Sequence, residues 1–221
     1  MKQFKIRCSA IDSIMGIKAL GKTGESYCQK WLKEQVYNVT REITSKYMTK
    51  GTVQELESIE YLNGLWLTDF EKNEEFHENN HLTGTPDIVT TDTVIDIKNS
   101  WDEQTFPLFE ADPPRAYFLQ LQGYMMLTGL KKAKLVYTLM NMPDELVIKE
   151  AWKLGINPGE DIEAFNKLQE SYNYDHLPEH LRVKVYDFEY CEQTAYKIIE
   201  RVEECRDYIR KISVNLKQTK Q

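Results

Sequence analysis

Two aspartates and a lysine in the stretch Thr83 to Trp101, TGTPDIVTTDTVIDIKNSW, have the types and spacing needed to hold a divalent metal and hydrolyse a phosphodiester. Asp87 to Thr90 and Val94 to Ile97 are mostly apolar and β-branched, which predicts two short strands bounded by turn residues. If Thr91-Asp92 is a two-residue loop, Thr90 pairs with Thr93 and Asp87 stands opposite Asp96. Directly opposed residues share a sheet face with Cβ atoms about 4.5–5.5 Å apart. Lys98 follows Asp96 by two positions and joins that face, while Ile95 and Ile97 point into a core. A three-residue loop would instead set Asp87 opposite Ile97 and separate the carboxylates. Like charges opposed across a hairpin destabilise it, so the pair calls for a cation. Hard oxygen ligands suit Mg²⁺ or Mn²⁺. Lys98 would then orient or help deprotonate the attacking water and offset charge on the phosphorane. The same residues also occur on plain, solvated hairpin edges.

The elements around this hairpin follow from periodicity and turn residues. Phe4 to Cys8 is extended. Helices are predicted over Thr23 to Val39, with Tyr27, Trp31, Leu32 and Gln35 marking its face, and over Lys50 to Leu62, where Val53, Leu56, Ile59 and Leu62 share one face. Leu65 to Glu75 reads as a strand and Glu78 to His81 as a polar turn. After the hairpin, Trp101 to Glu110 is a loop. Asp112-Pro113-Pro114 then supplies an N-cap and helix-starting prolines for a helix that runs to Thr128 and stops at Gly129. Lys134 to Met140 and Leu146 to Trp152 are predicted strands, joined through Asn141 to Asp144. Asp161 to Tyr172 is a short helix inside a polar, helical insertion around 154–178. Leu181 to Tyr190 alternates as a strand. Glu192 to Leu216 is a long amphipathic helix using Ala195, Ile198, Val202, Cys205, Ile209, Ile212 and Leu216. With no repeat or low-complexity linker, a single domain over 1–221 is expected.

The bulk numbers narrow the function classes. The 221 residues suffice for one well-buried α/β or α+β domain, and 41% hydrophobic with 29% charged residues is an ordinary soluble composition. No stretch approaches the ~20 apolar residues of a membrane span, so a cytoplasmic chain is expected. A formal net charge of −7 argues against non-specific coating of nucleic acid, which relies on Lys and Arg releasing counterions. Local clusters, Lys131, Lys132 and Lys134 or Arg206, Arg210 and Lys211, still have the composition to line a groove. Trp66, Trp101 and the aromatic segment Phe106 to Phe118 can stack unpaired bases or fill a core. Cys8, Cys28, Cys191 and Cys205 are scattered, without zinc spacing.

A helix, three strands, a helix and another strand in order, with Pro-Asp then Asp-x-Lys on neighbouring strands, resembles the PD-(D/E)xK nuclease superfamily. The similarity runs from Lys50 to Tyr124 and is nearest to lambda-type viral recombination exonucleases and RecB-like nuclease domains. It implies a restriction-endonuclease-like core, a central mixed sheet flanked by helices, and a metal-dependent DNA nuclease. An exonuclease processing duplex ends in phage-type recombination or repair is expected, by in-line hydrolysis with one or two Mg²⁺ ions, Mn²⁺ substituting. The resemblance makes Gly51-Thr-Val-Gln-Glu55 the helical acidic motif, with Gly21-Lys-Thr-Gly-Glu25 a looser second candidate. It implies metal ligation by Asp87, Asp96, Glu55 and the Ile97 carbonyl. Asp87, Asp96, Lys98 and Glu55 form the implied catalytic set. Gln120-Leu-Gln-Gly-Tyr124 matches the Gln-x-x-x-Tyr motif of RecB-like members, and its four-residue spacing puts both side chains on one helix face. The resemblance implies that Gln120 and Tyr124 position the metal-site residues and contact DNA phosphate or base, and with Ser100 they are candidates for binding substrate. Some relatives hold an iron-sulfur cluster, but Cys191 and Cys205 lie too far apart for that pattern, so none is expected. Implied partners are duplex DNA with a free end, a single-strand annealing protein and further copies of the chain, located in the host cytoplasm if the source is viral.

Two other classes compete. A nuclease fold without activity would serve as a DNA-binding module. Gly16-Ile-Lys-Ala-Leu-Gly21-Lys22-Thr23 satisfies the P-loop pattern of a nucleotide-binding protein. The P-loop mechanism needs a strand running into the first glycine and a permissive loop around phosphate, whereas Ser9 to Met15 reads as helical or turn-like, which favours a chance match.

Overall fold

The computed structural model describes residues 2–39 and 46–218. Strands β1 (Ile6–Arg7), β2 (His77–Glu78) and β3 (Leu82–Gly84) make a small sheet in the order β1-β3-β2, with β1 and β3 parallel and β2 and β3 antiparallel. The central sheet has the order β4 (Ile88–Val89), β5 (Thr93–Asn99), β6 (Lys132–Thr138), β7 (Val183–Glu189). Its β5–β6 pair is parallel and the two outer pairs are antiparallel. A parallel pair needs a crossover, supplied here by helix α3 below. The helices are α1 (Gly21–Tyr37), α2 (Lys46–Trp66), α3 (Arg115–Thr128), α4 (Asp144–Lys153), α5 (Ile162–Ser171) and α6 (Glu192–Gln218). This is a mixed α/β fold with sheets flanked by helices. Among the described residues no helix is long and apolar enough to cross a membrane.

The alternation along β5 divides the core. Val94 faces the same side as Ala133, Leu135 and Tyr137 of β6 and packs with α1, α3, α6 and a 3₁₀ helix at Cys8–Ile14. Ile95 and Ile97 face the other side, where Ile59 and Leu62 of α2 cover them together with Ile88 and Val136. A third cluster of Trp101, Met142, Leu146 and Val147 receives Phe165 and Leu168 of α5. On α6, Ala195, Ile198, Val202, Cys205 and Ile209 are buried as the spacing requires. Leu216 lies outside the residues whose side chains are described.

Several elements differ from the sequence-based expectation. Leu146 to Trp152 is not a strand. Pro143 stands at the N-cap, Asp144 and Glu145 occupy the first turn, and Leu146, Val147 and Ala151 are buried at helical spacing; the carboxylates favour a helix N-terminus. Leu65 to Glu75 is not a strand either. The α2 helix continues through Trp66 and ends as Leu67 turns to a φ of 53°. The Asn63 side chain then takes over the backbone partners of the next residues, accepting from Thr68 Oγ1 and Phe70 N and donating to Phe70 O. Glu78 belongs to β2 rather than a turn. Asp112 does not cap α3, whose N-cap is Pro114, though Gly129 ends it with a φ of 78°.

The expected apolar face of α2 is also displaced. Ile59 and Leu62 are buried, but Val53 and Leu56 are exposed, and the buried positions one turn apart are Lys50, Gln54 and Ser58. The chain enters Gly16 from the 3₁₀ helix rather than from a strand, so the P-loop pattern lacks the geometry that would give it meaning.

Candidate active site

Hairpin register brings the carboxylates together. Ile88 pairs with Ile95 and Val89 with Val94, and Thr90 N donates to Thr93 O at 3.0 Å, leaving Thr91-Asp92 as a two-residue connection. Asp87, one residue before β4, continues this register opposite Asp96. Its Oδ2 accepts from the Ile97 amide at 2.6 Å. Asp96 is 1% exposed. Its Oδ1 accepts from Gln120 Nε2 at 3.0 Å, and Lys98 Nζ stands 2.7 Å from its Oδ2. That ion pair is out of hydrogen-bond alignment, so Asp96 Oδ2 remains a buried oxygen with no aligned donor.

The electrostatics follow from this crowding. Burial, with the Asp96 charge second, pushes the Asp87 carboxyl up to about 7; Lys98 and the Ile97 amide oppose the shift and Glu55 adds to it. Burial alone would lower the Lys98 ammonium, but Asp96 and Asp87 outweigh it and its pKa is raised. Both carboxylates thus favour the ammonium form of Lys98.

Glu55 lies on α2, close enough for its field to reach Asp87, and pairs with Lys72 at 3.0 Å. Glu25 sits on α1 and its charge is felt at Cys28, so Glu55 is the helical acid that approaches the aspartates. Among the described residues no three His, Cys, Asp or Glu side chains form a ready-made cage. Two facing carboxylates, with Asp96 Oδ2 ion-paired but without an aligned donor, fit Mg²⁺, which takes one or two carboxylates and completes its shell with water and phosphate. They fit less well an ion that demands an all-protein shell.

Gln120 and Tyr124 share a face of α3, but beneath the site rather than on its surface. Gln120 Nε2 donates both to Asp96 and to Tyr124 Oη, the latter at 3.0 Å, and both residues are buried. Gln120 thus reaches Asp96 directly and Tyr124 reaches it through Gln120, an arrangement that suits the positioning role the resemblance implies for them. Two glycines make room: a Cβ on Gly84 would fall 2.7 Å from Tyr124 Cε1, and one on Gly123 would fall 2.8 Å from Cys8 Sγ. Ser100 is buried too. Its amide donates to Thr138 O, and its carbonyl accepts from Lys50. Trp66 is partly buried against Phe70, Trp101 and Phe106 are buried, and Phe109 is 92% exposed. The basic clusters are largely neutralised: Lys132 meets Asp92, Lys134 meets Asp187, Arg206 meets Glu203 and Arg210 meets Asp207.

One residue was missed by the sequence reading. Lys50 is fully buried and donates to the carbonyls of Ser100, Trp101 and Met140 at 2.8, 2.9 and 3.1 Å, clamping the chain that leaves β5 to the chain that leaves β6. Next to it, Ser58 Oγ donates to Asn99 Oδ1, which also accepts from Thr138 Oγ1. The available signal was the spacing of Lys50, Gln54 and Ser58, four residues apart on a helix.

No family model matches the chain, and no curated protein matches it. Among solved structures it is similar to a phage-related exonuclease from Haemophilus somnus 129PT, with a TM-score of 0.79 and 24% identity over 97% of each chain. It is also similar to the alkaline exonuclease LHK-Exo from Laribacter hongkongensis, with a TM-score of 0.68 and 16% identity over 97% of this chain and 92% of that one. The dAMP complex of LHK-Exo matches with a TM-score of 0.66, 16% identity and the same coverage. At these identities the likeness is one of fold, in agreement with the PD-(D/E)xK resemblance read from the hairpin: the chain has the fold of the phage-related and alkaline exonucleases.

Proposed function

We propose that this chain is a Mg²⁺-dependent deoxyribonuclease that hydrolyses DNA from duplex ends. The observation that carries the reading is the opposed pair Asp87 and Asp96 with Lys98 Nζ 2.7 Å from Asp96, on a fold shared with exonucleases, one of them solved with dAMP. Asp87 and Asp96 would hold the cation, with Glu55 and the Ile97 carbonyl as further oxygen donors. When bound, a hard divalent ion there lowers the pKa of water and offsets phosphate charge.

The chain's own groups do the rest. The Ile97 amide fixes one Asp87 oxygen and Gln120 fixes one Asp96 oxygen, leaving the other oxygen of each carboxylate directed by geometry rather than by chance. Lys98, kept as an ammonium, donates to the attacking water or to a non-bridging phosphate oxygen, where negative charge grows in the transition state. Tyr124 Oη holds the Gln120 amide from behind.

The test incubates end-labelled linear and closed circular duplex DNA with Mg²⁺, comparing the native chain with Lys98→Ala. Loss of label from linear DNA alone, abolished in the variant, is the expected result. Circles cut as fast as linear DNA would remove the requirement for an end, and no Mg²⁺-dependent cleavage of either would leave a DNA-binding module without nuclease activity.

A further inference from the structure

Each of the three acids at the candidate metal centre has one oxygen engaged by a donor of this chain. Asp87 Oδ2 accepts from the Ile97 amide at 2.6 Å, Asp96 Oδ1 from Gln120 Nε2 at 3.0 Å, and Glu55 Oε2 from Lys72 Nζ at 3.0 Å. The first two donors are neutral and fixed, one a strand amide and the other a buried side chain. Lys72 differs from both. It is a cation, and its side chain is 33% exposed against 19% for Glu55.

The backbone around Lys72 is pinned on both sides. Upstream, Asn63 of α2 accepts from Phe70 N at 2.7 Å and donates to Phe70 O at 2.9 Å. Downstream, Asn73 N donates to Asp87 O at 2.8 Å and Asn73 Nδ2 donates to Pro86 O at 2.9 Å. The residue after Lys72 is thus bonded to the backbone of the metal-site aspartate itself, while the Lys72 stem can turn into water without moving the loop.

Charge decides what this placement does. Three acids, Asp87, Asp96 and Glu55, meet two ammonium groups: Lys98 on Asp96 and Lys72 on Glu55. The Glu55 charge reaches Asp87, so a cation on Glu55 relieves the crowding of acids before any metal arrives. A divalent ion among the aspartates finds the third acid already neutralised, and two cations contend for one carboxylate at a partly buried position, where charges are screened less than in bulk water.

On the reading that Asp87, Asp96 and Glu55 form the metal-binding set, we infer that Lys72 is the internal counter-ion of this centre: its ammonium competes with the divalent ion for Glu55 and so sets the ion concentration at which the site fills. Lys72 leaves Glu55 by rotation of its own side chain into solvent as the site fills. Lys98, paired with an aspartate that is 1% exposed, stays.

The test titrates Mn²⁺ into the full chain without DNA, the free ion being read from its electron paramagnetic resonance signal. The native protein is compared with Lys72→Met, Lys72→Arg, Glu55→Gln and the combined Glu55→Gln and Lys72→Met change. Lys72→Met should bind Mn²⁺ about fivefold more tightly, the upper end of what one partly exposed ion pair is worth, and Lys72→Arg should bind it as the native chain does. On the Glu55→Gln background the same loss of Lys72 should change Kd far less. The metal-free Tm of Lys72→Met should fall while its rise on adding Mn²⁺ exceeds the native rise, a pair of opposite signs that a lost packing contact does not produce. Unchanged or weaker Mn²⁺ binding by Lys72→Met overturns the assignment, as does equal tightening with and without Glu55, which would make Lys72 a distant charge rather than a competitor. If Lys72→Met does not fold, Lys72→Gln is read in the same way. A native chain that takes up no Mn²⁺ overturns the metal centre and this inference together, whereas one that takes up Mn²⁺ and leaves linear DNA intact fails the nuclease reading alone.

Discussion

Removing the Gln120 amide isolates the tether that fixes Asp96. Among the described residues Gln120 Nε2 is the one aligned donor to this carboxylate, at 3.0 Å, and it spans to Tyr124 Oη at the same distance. Asp96 is 1% exposed, so water cannot replace the lost bond without a rearrangement. Gln120→Ala leaves the Lys98 ion pair, which is out of alignment, as the remaining polar restraint on the side chain among the described residues. A hydrogen bond to a charged group contributes about 1.5–3 kcal/mol, and about 1.4 kcal/mol is a factor of ten. The metal site should therefore weaken by about 10- to 100-fold, the range seen when partners of metal ligands are removed. The assay is a Mg²⁺ titration of cleavage on linear duplex. The half-saturating Mg²⁺ concentration is expected to rise by that factor, and excess Mg²⁺ should recover much of the rate. Gln120→Glu, which sets a third carboxylate against Asp96, should be worse. Should Gln120→Ala melt at a lower temperature yet keep the native Mg²⁺ requirement, the glutamine would be a packing residue and the tether would have no part in metal binding.

Two further changes probe the charges. Asp87 binds its proton up to about 7 in the folded state against an ordinary value of 3.8. Across that window the folded state holds a proton that the unfolded chain has released, so stability of the metal-free protein falls as pH rises, and the full penalty is present above about pH 7. Asp87→Asn should raise the metal-free Tm near pH 8, and added Mg²⁺ should raise the native Tm but not that of the variant; a variant melting at or below the native protein would contradict the assignment of charge repulsion. Lys50→Met removes the donor to the carbonyls of Ser100, Trp101 and Met140. With about 1–3 kcal/mol for each buried group left unsatisfied, and counting Ser100 and Met140 alone, the loss should be at least about 2 kcal/mol, or about 4–8 °C in Tm for a chain of this size, measured by thermal melting. Burial lowers the Lys50 ammonium to about 8 against the pull of Asp102 and Glu57. The folded state binds fewer protons than the unfolded chain between that value and 10.5, and this residue's contribution to stability rises with pH there.

What the sequence disclosed and what it hid have a common physical cause. The hairpin was legible because strand periodicity is two and a two-residue turn leaves one register; placing Asp87, Asp96 and Lys98 needed only local counting. The helix mistaken for a strand, Leu146 to Trp152, packs through Leu146 and Val147 onto Trp101 and Met142. A short apolar run of this kind fits either period, and only the acids at its start argue for a helix. On α2 the error is of another sort. Apolar periodicity assumes that a buried face is apolar, yet this helix buries Lys50, Gln54 and Ser58 against the ends of β5 and β6, where the carbonyls of Ser100, Met140 and Asn141, just past the strands, and the Asn99 side-chain oxygen accept from them. Apolar side chains cannot satisfy those groups, so Val53 and Leu56 face outward while polar residues face in. The polar seam and the acid Glu55 thus belong to one helix for one reason. The strand ends that demand donors are the same ends that carry Lys98, and the helix that supplies the donors also carries Glu55 towards Asp87.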